Sequence, residues 1–522
     1  MILKNRYKQL LIIFLLISLF VKIDFRLKPE LECCNDDHDY YIHAETTIID
    51  LDFEYENQLE GFEKRRNFIN EKSSPVGFYG TGLLSSPFLL IGNIVDNVFD
   101  SGNQNLYSNK VIFYSFSSIF YLLFTLLIFK KINRILNRPI SDMKLLIILF
   151  GTGLPYYAFE RYSMTHVYDT FSITCMVYFL ITFYKKGDNK SLLGVSVFTF
   201  VTLITRWTNY QIFFLPYIIQ KLFFPNSQYR IRKNYRFYIF SGISTYLFLL
   251  HTKLIWGIYT FNPRKLYNDH EFISYYIDAL IENPLDFIVN NIIDAITTIF
   301  TQEFGVFWFS PVIFVGVLFI FVSRKIDFKM RILLFIIYSY YFSLINAWQS
   351  TGNAYGFRYL YPLISLSILL FISLKKENFR YHKVAENYIL IFSIFSIFSV
   401  LFFEGWEGSQ LSLVPIENSF GKIEKFVQPS YMTGLLKGFL VIETYLKILT
   451  TSFLSLIGFK FLLYIFDITQ LNSFLGNVGL PIENSDFQLF LVKTDSLSIV
   501  TVISIFVLLS LVTYLVATYL KK

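Results

Sequence analysis

The residues best suited to chemistry fall into two groups of opposite charge. Between residues 28 and 75 the chain is dense in carboxylates, and two strings stand out. In Asp36-Asp37-His38-Asp39-Tyr40-Tyr41 the acids abut aromatic rings; in Asp50-Leu51-Asp52-Phe53-Glu54-Tyr55-Glu56-Asn57 they alternate with apolar residues before an Asn. A carboxylate in such a setting can take a proton from a hydroxyl when its pKa is suitably placed. Most of these acids need only solvate a loop, so the candidates are few.

The second group is three arginines: Arg161 in Glu160-Arg161-Tyr162-Ser163-Met164-Thr165-His166, Arg206 in Thr205-Arg206-Trp207-Thr208-Asn209, and Arg358 in Gly356-Phe357-Arg358-Tyr359. Each falls in a short turn between apolar blocks, on the side that the charge pattern below assigns to the exterior. Cations are normally retained on the other side. Snorkelling to lipid headgroups accounts for any single one. Three facing one acidic loop read better as a shared site, and the guanidinium fork suits a phosphate. Together the two groups describe one reaction. A carboxylate takes the proton of an acceptor hydroxyl while arginines neutralise a departing phosphate. That is group transfer from a lipid-phosphate donor at the outer membrane surface, with the lipid tail in grooves between spans. His166 could bind a sugar hydroxyl or the phosphate, or be a helix-start histidine satisfied by a neighbour; Asp169, one turn on, could orient it or cap the helix.

The cysteines add little. Cys175 lies in an apolar block, and adjacent Cys33 and Cys34 would form a strained bridge. With His38 and His43 they suggest zinc, but the spacing fits no common template.

The elements that must position these groups are membrane spans. Only 16% of the 522 residues are charged and 54% are hydrophobic, where soluble domains carry roughly 25% charged residues. With 60 Phe and 37 Tyr and a mean hydropathy of +0.47, this is a polytopic membrane protein. Disordered chains, small disulfide scaffolds and cytosolic enzymes are excluded. The net charge of +7 is not a nucleic-acid signal, because the basic residues cluster beside apolar blocks and set topology. Lys4, Arg6 and Lys8 precede an uncleaved first span. Further clusters fall near 130–138, 185–190, 221–236, 324–331, 375–383 and 521–522.

With every cluster cytoplasmic, the apolar blocks give about 12 spans and place both termini inside. They lie near 107–129, 145–159, 165–184, 191–205, 210–222, 237–256, 306–323, 332–347, 359–374, 387–403 and 497–519. The block 76–99, with Gly77, Gly80, Gly82, Pro87 and Asp96, reads as an interfacial or re-entrant segment on the outer side. Residues 26–106, 257–305 and 404–496 are expected outside, and 437–465 is open between a hairpin, a single span and a surface helix. Residues 1–403 form the expected catalytic module, with 404–522 supplying an outer region and the last span or spans. No fixed-period repeat is present.

At these residues the chain resembles bacterial integral-membrane glycosyltransferases of the GT-C superfamily, the class of protein O-mannosyltransferases and aminoarabinose transferases. The resemblance rests on Asp39-Tyr40-Tyr41, the 50–57 string, Pro75-Val76-Gly77, Leu84-Ser85-Ser86-Pro87-Phe88, Phe307-Trp308-Phe309-Ser310-Pro311 and Gly356-Phe357-Arg358-Tyr359-Leu360-Tyr361-Pro362. It covers roughly residues 10–375, and its specificity lies in the order of short motifs. It implies an all-α membrane fold with outer-face juxtamembrane helices in the first loop, in a bacterial inner membrane. It implies a polyprenyl-phosphate-linked sugar donor and an acceptor that is glycan, lipid or protein. By position, Asp39 becomes the base, Asp52 its runner-up and Glu160 the second acid; Arg161, Arg206 and Arg358 bind the donor phosphate, with Tyr40, Tyr41 and His166 on substrate. In some members an acidic pair follows the first span directly, whereas here Asp24 stands alone. The family is not uniformly metal-dependent, and Asp39 with Asp52 could hold Mg²⁺ or Mn²⁺ through oxygen. The alternatives are a transporter or flippase of a lipid-linked saccharide, a surface-polysaccharide polymerase or ligase, and a membrane scaffold. Unusual charges at span ends rather than centres weigh against transport.

Overall fold

The structure is a computed structural model that describes residues 2–21, 36–59, 67–69, 72–75, 77–99, 108–137, 140–206, 208–261, 281–300, 305–324, 326–348, 355–374, 382–402, 411–417, 423–429, 452–477, 491–492 and 494–520. Asp24, Cys33, Cys34 and most of 404–496 lie outside the described residues, including the first part of the 437–465 block.

The chain is all-α. Its described strands are two short hairpins, Asn67–Ile69 with Lys72–Ser74 and Leu411–Glu417 with Ile423–Pro429. Among the described residues six helices are long and apolar enough to cross a membrane, and four shorter apolar ones join them. The first half of the chain runs through α1 (Ile2–Phe20), α2 (Asp36–Glu45), α3 (Gly80–Phe99), α4 (Asn109–Ile135), α5 (Asp142–Phe150), α6 (Leu154–Phe159), α7 (His166–Lys186) and α8 (Asn189–Thr205).

Helix boundaries follow from local chemistry. Ser108 caps α4 by accepting from the Lys110 amide at 3.0 Å. Lys185 and Lys186 complement the C-terminal dipole of α7, Gly187 ends it at φ 73°, and Asp188 caps α8 at once by accepting the Ser191 amide. That tight turn makes α7 and α8 antiparallel neighbours. At the other end of the pair, the last turn of α8 and Arg206 come back beside the first turn of α7.

Several expected spans are altered; 306–323 is split at Ser310 into Val306–Phe309 and Pro311–Val322, and 359–374 is an α-helix only from Leu363 to Leu374. The block 145–159 is broken: α5 stops at Phe150, Gly153 adopts φ 78°, and α6 restarts with Pro155 in its first turn. The block 210–222 is a 3₁₀ turn, Tyr210–Phe213, followed by the nine-residue helix α9 (Leu215–Phe223), too short to cross alone. The block 76–99 yields α3, one continuous helix despite Pro87. Helix α3 runs antiparallel along α4, with Tyr121 donating to the Leu84 carbonyl and Gly92 against Asn109. Asp96 accepts the Asn109 and Lys110 amides, each at 2.9 Å, and so anchors α3 on the positive end of α4.

The interior is polar enough to register the helices. Ser117 Oγ pairs with the Tyr168 hydroxyl at 2.6 Å, Thr174 with Ser365 at 2.8 Å and Tyr338 with Ser367 at 2.7 Å, each joining two helices where water is absent. At the far end of α4, about 16 residues from Tyr114 and so ~24 Å away, Lys130 pairs with Asp142 and donates to the Tyr519 carbonyl. The C-terminal helix, Ile499–Leu520, therefore ends at the end of α4 away from the arginines.

Gly80 is a fixed point for the site. A Cβ there would sit 2.6 Å from the Thr205 backbone nitrogen, beside Arg206. Gly80→Ala is expected to push α3 off α8, costing roughly 1–3 kcal/mol. A lowered melting temperature of the detergent-solubilised protein checks it.

Candidate active site

Residues from α2, α6, the 160–166 turn, α7, the 206–209 turn and the 355–361 stretch meet at one end of the bundle. Arg161 Nη2 bonds Asp37 Oδ2 at 2.8 Å, and Ser163 Oγ donates to the Asp37 carbonyl at 2.7 Å. The outer acidic string is thus clasped directly to the first arginine turn. Burial lowers the Arg161 pKa, but the Asp37 carboxylate beside it outweighs this and holds the guanidinium above its ordinary value. Both side chains are only 9% exposed. Removing one partner of a buried pair strands the other charge, so Asp37→Asn is expected to cost about 3–5 kcal/mol. Thermal unfolding reads that loss; an unchanged transition contradicts the pairing.

The other two arginines share a tyrosine. The Arg206 guanidinium lies 4.6 Å and the Arg358 guanidinium 5.4 Å from the Tyr359 ring centre. Arg206 leaves α8 in an extended conformation and folds back on α7, with Nη1 3.4 Å from His166 Nδ1 and 4.0 Å from Asp169 Oδ2. A guanidinium only donates, so Nδ1 accepts and the His166 proton sits on Nε2. Asp169 is fully buried, and its Oδ1 accepts from Asn209 at 2.6 Å. The Tyr157 ring packs on His166, 4.3 Å between centres, while its hydroxyl donates to the Tyr355 carbonyl. Tyr361 donates to that same carbonyl at 2.9 Å. Tyr157 feels the charges of Arg358, Arg161, Arg206 and Asp37, and His166 those of all three arginines. The three guanidiniums thus lie around a largely buried aromatic and imidazole floor, Arg161 already paired with Asp37 and Arg206 4.0 Å from Asp169.

Glu160 caps α6, is 2% exposed, and lies within electrostatic reach of Tyr156 and Tyr355. Asp39 is 1% exposed, and its Oδ2 accepts the Gly77 amide at 3.1 Å. Tyr40 is half-buried against Gly77, with no room for a Cβ between them. Tyr41 turns inward, edge-on to Tyr114 at 5.1 Å and 5.9 Å from Lys110. Asp52 is exposed on a turn, where Oδ1 accepts the Glu54 amide at 3.1 Å.

Among the described residues no three His, Cys, Asp or Glu side chains group as a cation cage. Asp39 is buried and Asp52 exposed, so as placed they do not form a ligand pair for Mg²⁺ or Mn²⁺, and no step is routed through a metal. His43 uses both ring nitrogens in hydrogen bonds, which removes it from the zinc set; Cys33 and Cys34 lie outside the described residues. The spacing-based reading missed Asp37, Tyr157, Tyr359 and Tyr361. Only Tyr359 and Tyr361, beside Arg358 in the sequence, carried a local signal.

No protein family model matches the chain, and no curated protein matches it. Among solved structures it is similar to the Archaeoglobus fulgidus oligosaccharyltransferase in complex with Zn and sulfate, at 12% identity and a TM-score of 0.37, over 74% of this chain and 52% of that one. It is also similar to the archaeal oligosaccharyltransferase AglB of the same organism in complex with an inhibitory peptide and a dolichol-phosphate. That match has 12% identity and a TM-score of 0.32, over 91% of this chain and 59% of that one. The chain thus spans little more than half the length of the structures it matches. At these scores the chemistry rests on the chain's own residues.

Proposed function

We propose that the chain is a membrane glycosyltransferase that moves a sugar from a polyprenyl-phosphate-linked donor to an acceptor hydroxyl on the non-cytoplasmic face. The observation that carries this reading is the convergence of Arg161, Arg206 and Arg358 around Tyr157 and His166, with Asp37, Asp39 and Glu160 on the elements alongside. In the reaction, the acceptor oxygen attacks the anomeric carbon. Its proton passes to the Asp39 carboxylate, and the bond from the anomeric carbon to the phosphate oxygen breaks with its electron pair on the phosphate. Arg206 and Arg358 stabilise the charge that builds there, a contribution that grows from ground state to transition state. Arg161, held by Asp37, fixes the turn that carries Glu160. Termini on the cytoplasmic side are inferred from the basic clusters; the position of Tyr519 on Lys130, at the end of α4 away from the arginines, supports this for the C-terminus.

Reconstitution into vesicles with a panel of polyprenyl-phosphate sugars tests the reading. Release of polyprenyl phosphate with transfer of the sugar supports it. Movement of intact donor between leaflets without bond cleavage overturns it in favour of a flippase.

A further inference from the structure

Beneath Asp39 lies a chain of buried hydrogen bonds with one direction. Asp39 and His43 are one turn apart on α2 and share a face. Both reach Gly77, more than thirty residues away in the sequence: Asp39 Oδ2 accepts its amide at 3.1 Å, and His43 Nε2 lies 2.9 Å from its carbonyl. A carbonyl only accepts, so Nε2 carries the proton. The neutral ring then presents a bare Nδ1, which accepts from the Tyr55 hydroxyl at 2.8 Å. Donors run from Tyr55 to His43, from His43 to Gly77 and from Gly77 to Asp39.

The surroundings hold this arrangement in place. His43 and Tyr55 are fully buried, and the imidazole stands edge-on to Tyr55 and Tyr79 at 5.2 and 5.5 Å. Burial pushes the His43 pKa down to about 4, against the opposing pull of the Gly77 carbonyl, so the ring keeps the neutral tautomer that the chain needs. Gly77 sits where a side chain would crowd the site: a Cβ would lie 2.9 Å from the Tyr40 ring and 3.1 Å from the Asp39 side chain.

We propose that His43 is a positioning residue for Asp39. By pinning the Gly77 carbonyl, it presents the Gly77 amide to Oδ2 and sets the plane of the carboxylate that takes the acceptor proton. This rests on the reading of Asp39 as the base. Tyr55 sets the tautomer and belongs to the same device.

Two variants separate positioning from bulk. In His43→Gln the side-chain amide nitrogen reaches the place of Nε2 and still donates to Gly77; His43→Leu fills similar space and donates nothing. In the reconstituted full chain, His43→Leu is expected to lower kcat about 10- to 100-fold with the donor KM little changed, as for a slightly misplaced reacting group. His43→Gln should recover most of that kcat. Hydrogen exchange at the Gly77 amide gives a readout independent of transfer: it is expected to be slow in the wild type and in His43→Gln, and fast in His43→Leu. Equal kcat in the two variants, or a Gly77 amide that stays protected in His43→Leu, overturns the proposal. Full transfer by Asp39→Asn would instead overturn Asp39 as the base, while Gly77 exchange would still report whether His43 positions it.

Discussion

Arg206→Ala is expected to lower kcat/KM for a polyprenyl-phosphate sugar by about 100- to 1,000-fold, the usual cost of losing one preorganised donor to a developing anion. Arg206 lies against the Tyr359 ring that Arg358 also contacts, and its Nη1 is the neighbour of His166 Nδ1. Deleting it removes one of the two guanidiniums proposed to stabilise the leaving phosphate and leaves Asp169, fully buried, without the cation 4.0 Å from it. The second effect is one of stability and needs its own control. Asp169→Asn combined with Arg206→Ala removes the stranded charge, so the double variant should regain melting temperature and not transfer. Arg206→Lys restores a charge but not the planar fork, and should recover at most about tenfold. Steady-state kinetics in lipid nanodiscs reads all three.

Asp39→Asn should lower the rate of transfer by about 100- to 10,000-fold, the range attributed to a general base, while donor binding persists. The substitution is nearly isosteric, and the Asn carbonyl still accepts the Gly77 amide, so the fold is retained. Asp52→Asn should be close to silent, because that carboxylate faces solvent and serves its own turn. Glu160→Gln is expected to fall between them: Glu160 is buried at the end of α6, on the turn that Arg161 and Asp37 clasp. Measured with one donor and a saturating acceptor, the order Asp39, Glu160, Asp52 in loss of kcat is the expected result.

Much of the helical plan was legible because apolar blocks and basic clusters alternate on the scale of a bilayer. The arginines were legible because each breaks the charge rule at a short turn, and the structure brings all three to one place. What escaped were the non-local partners. Asp37 stands two residues from the favoured Asp39, and only folding shows which acid meets Arg161, 124 residues away. Tyr157 lies inside a block expected to be one continuous span, and the break at Gly153 (φ 78°) restarts the chain in the short helix that carries it. Both candidate acids in the outer loop looked alike as residue types. Burial separates them, because α2 packs Asp39 against Gly77 while the turn after Leu51, itself at φ 58°, leaves Asp52 in solvent. The block 76–99 reads from the sequence as an interfacial or re-entrant segment; residues 80–99 form one continuous helix, and packing against α4 with the Asp96 anchor carries it through Pro87.

The central claim is that Arg206 and Arg358 form one site for the phosphate that leaves. Titration of the purified full chain with polyprenyl monophosphate, the product that site would release, tests it most directly. Saturable binding at one site is expected, weakened more than about tenfold by Arg206→Ala and by Arg358→Ala, with the double variant losing less than the sum of the two free energies because both arginines serve one ligand. Binding left unchanged by both substitutions, in protein that remains folded, would contradict it.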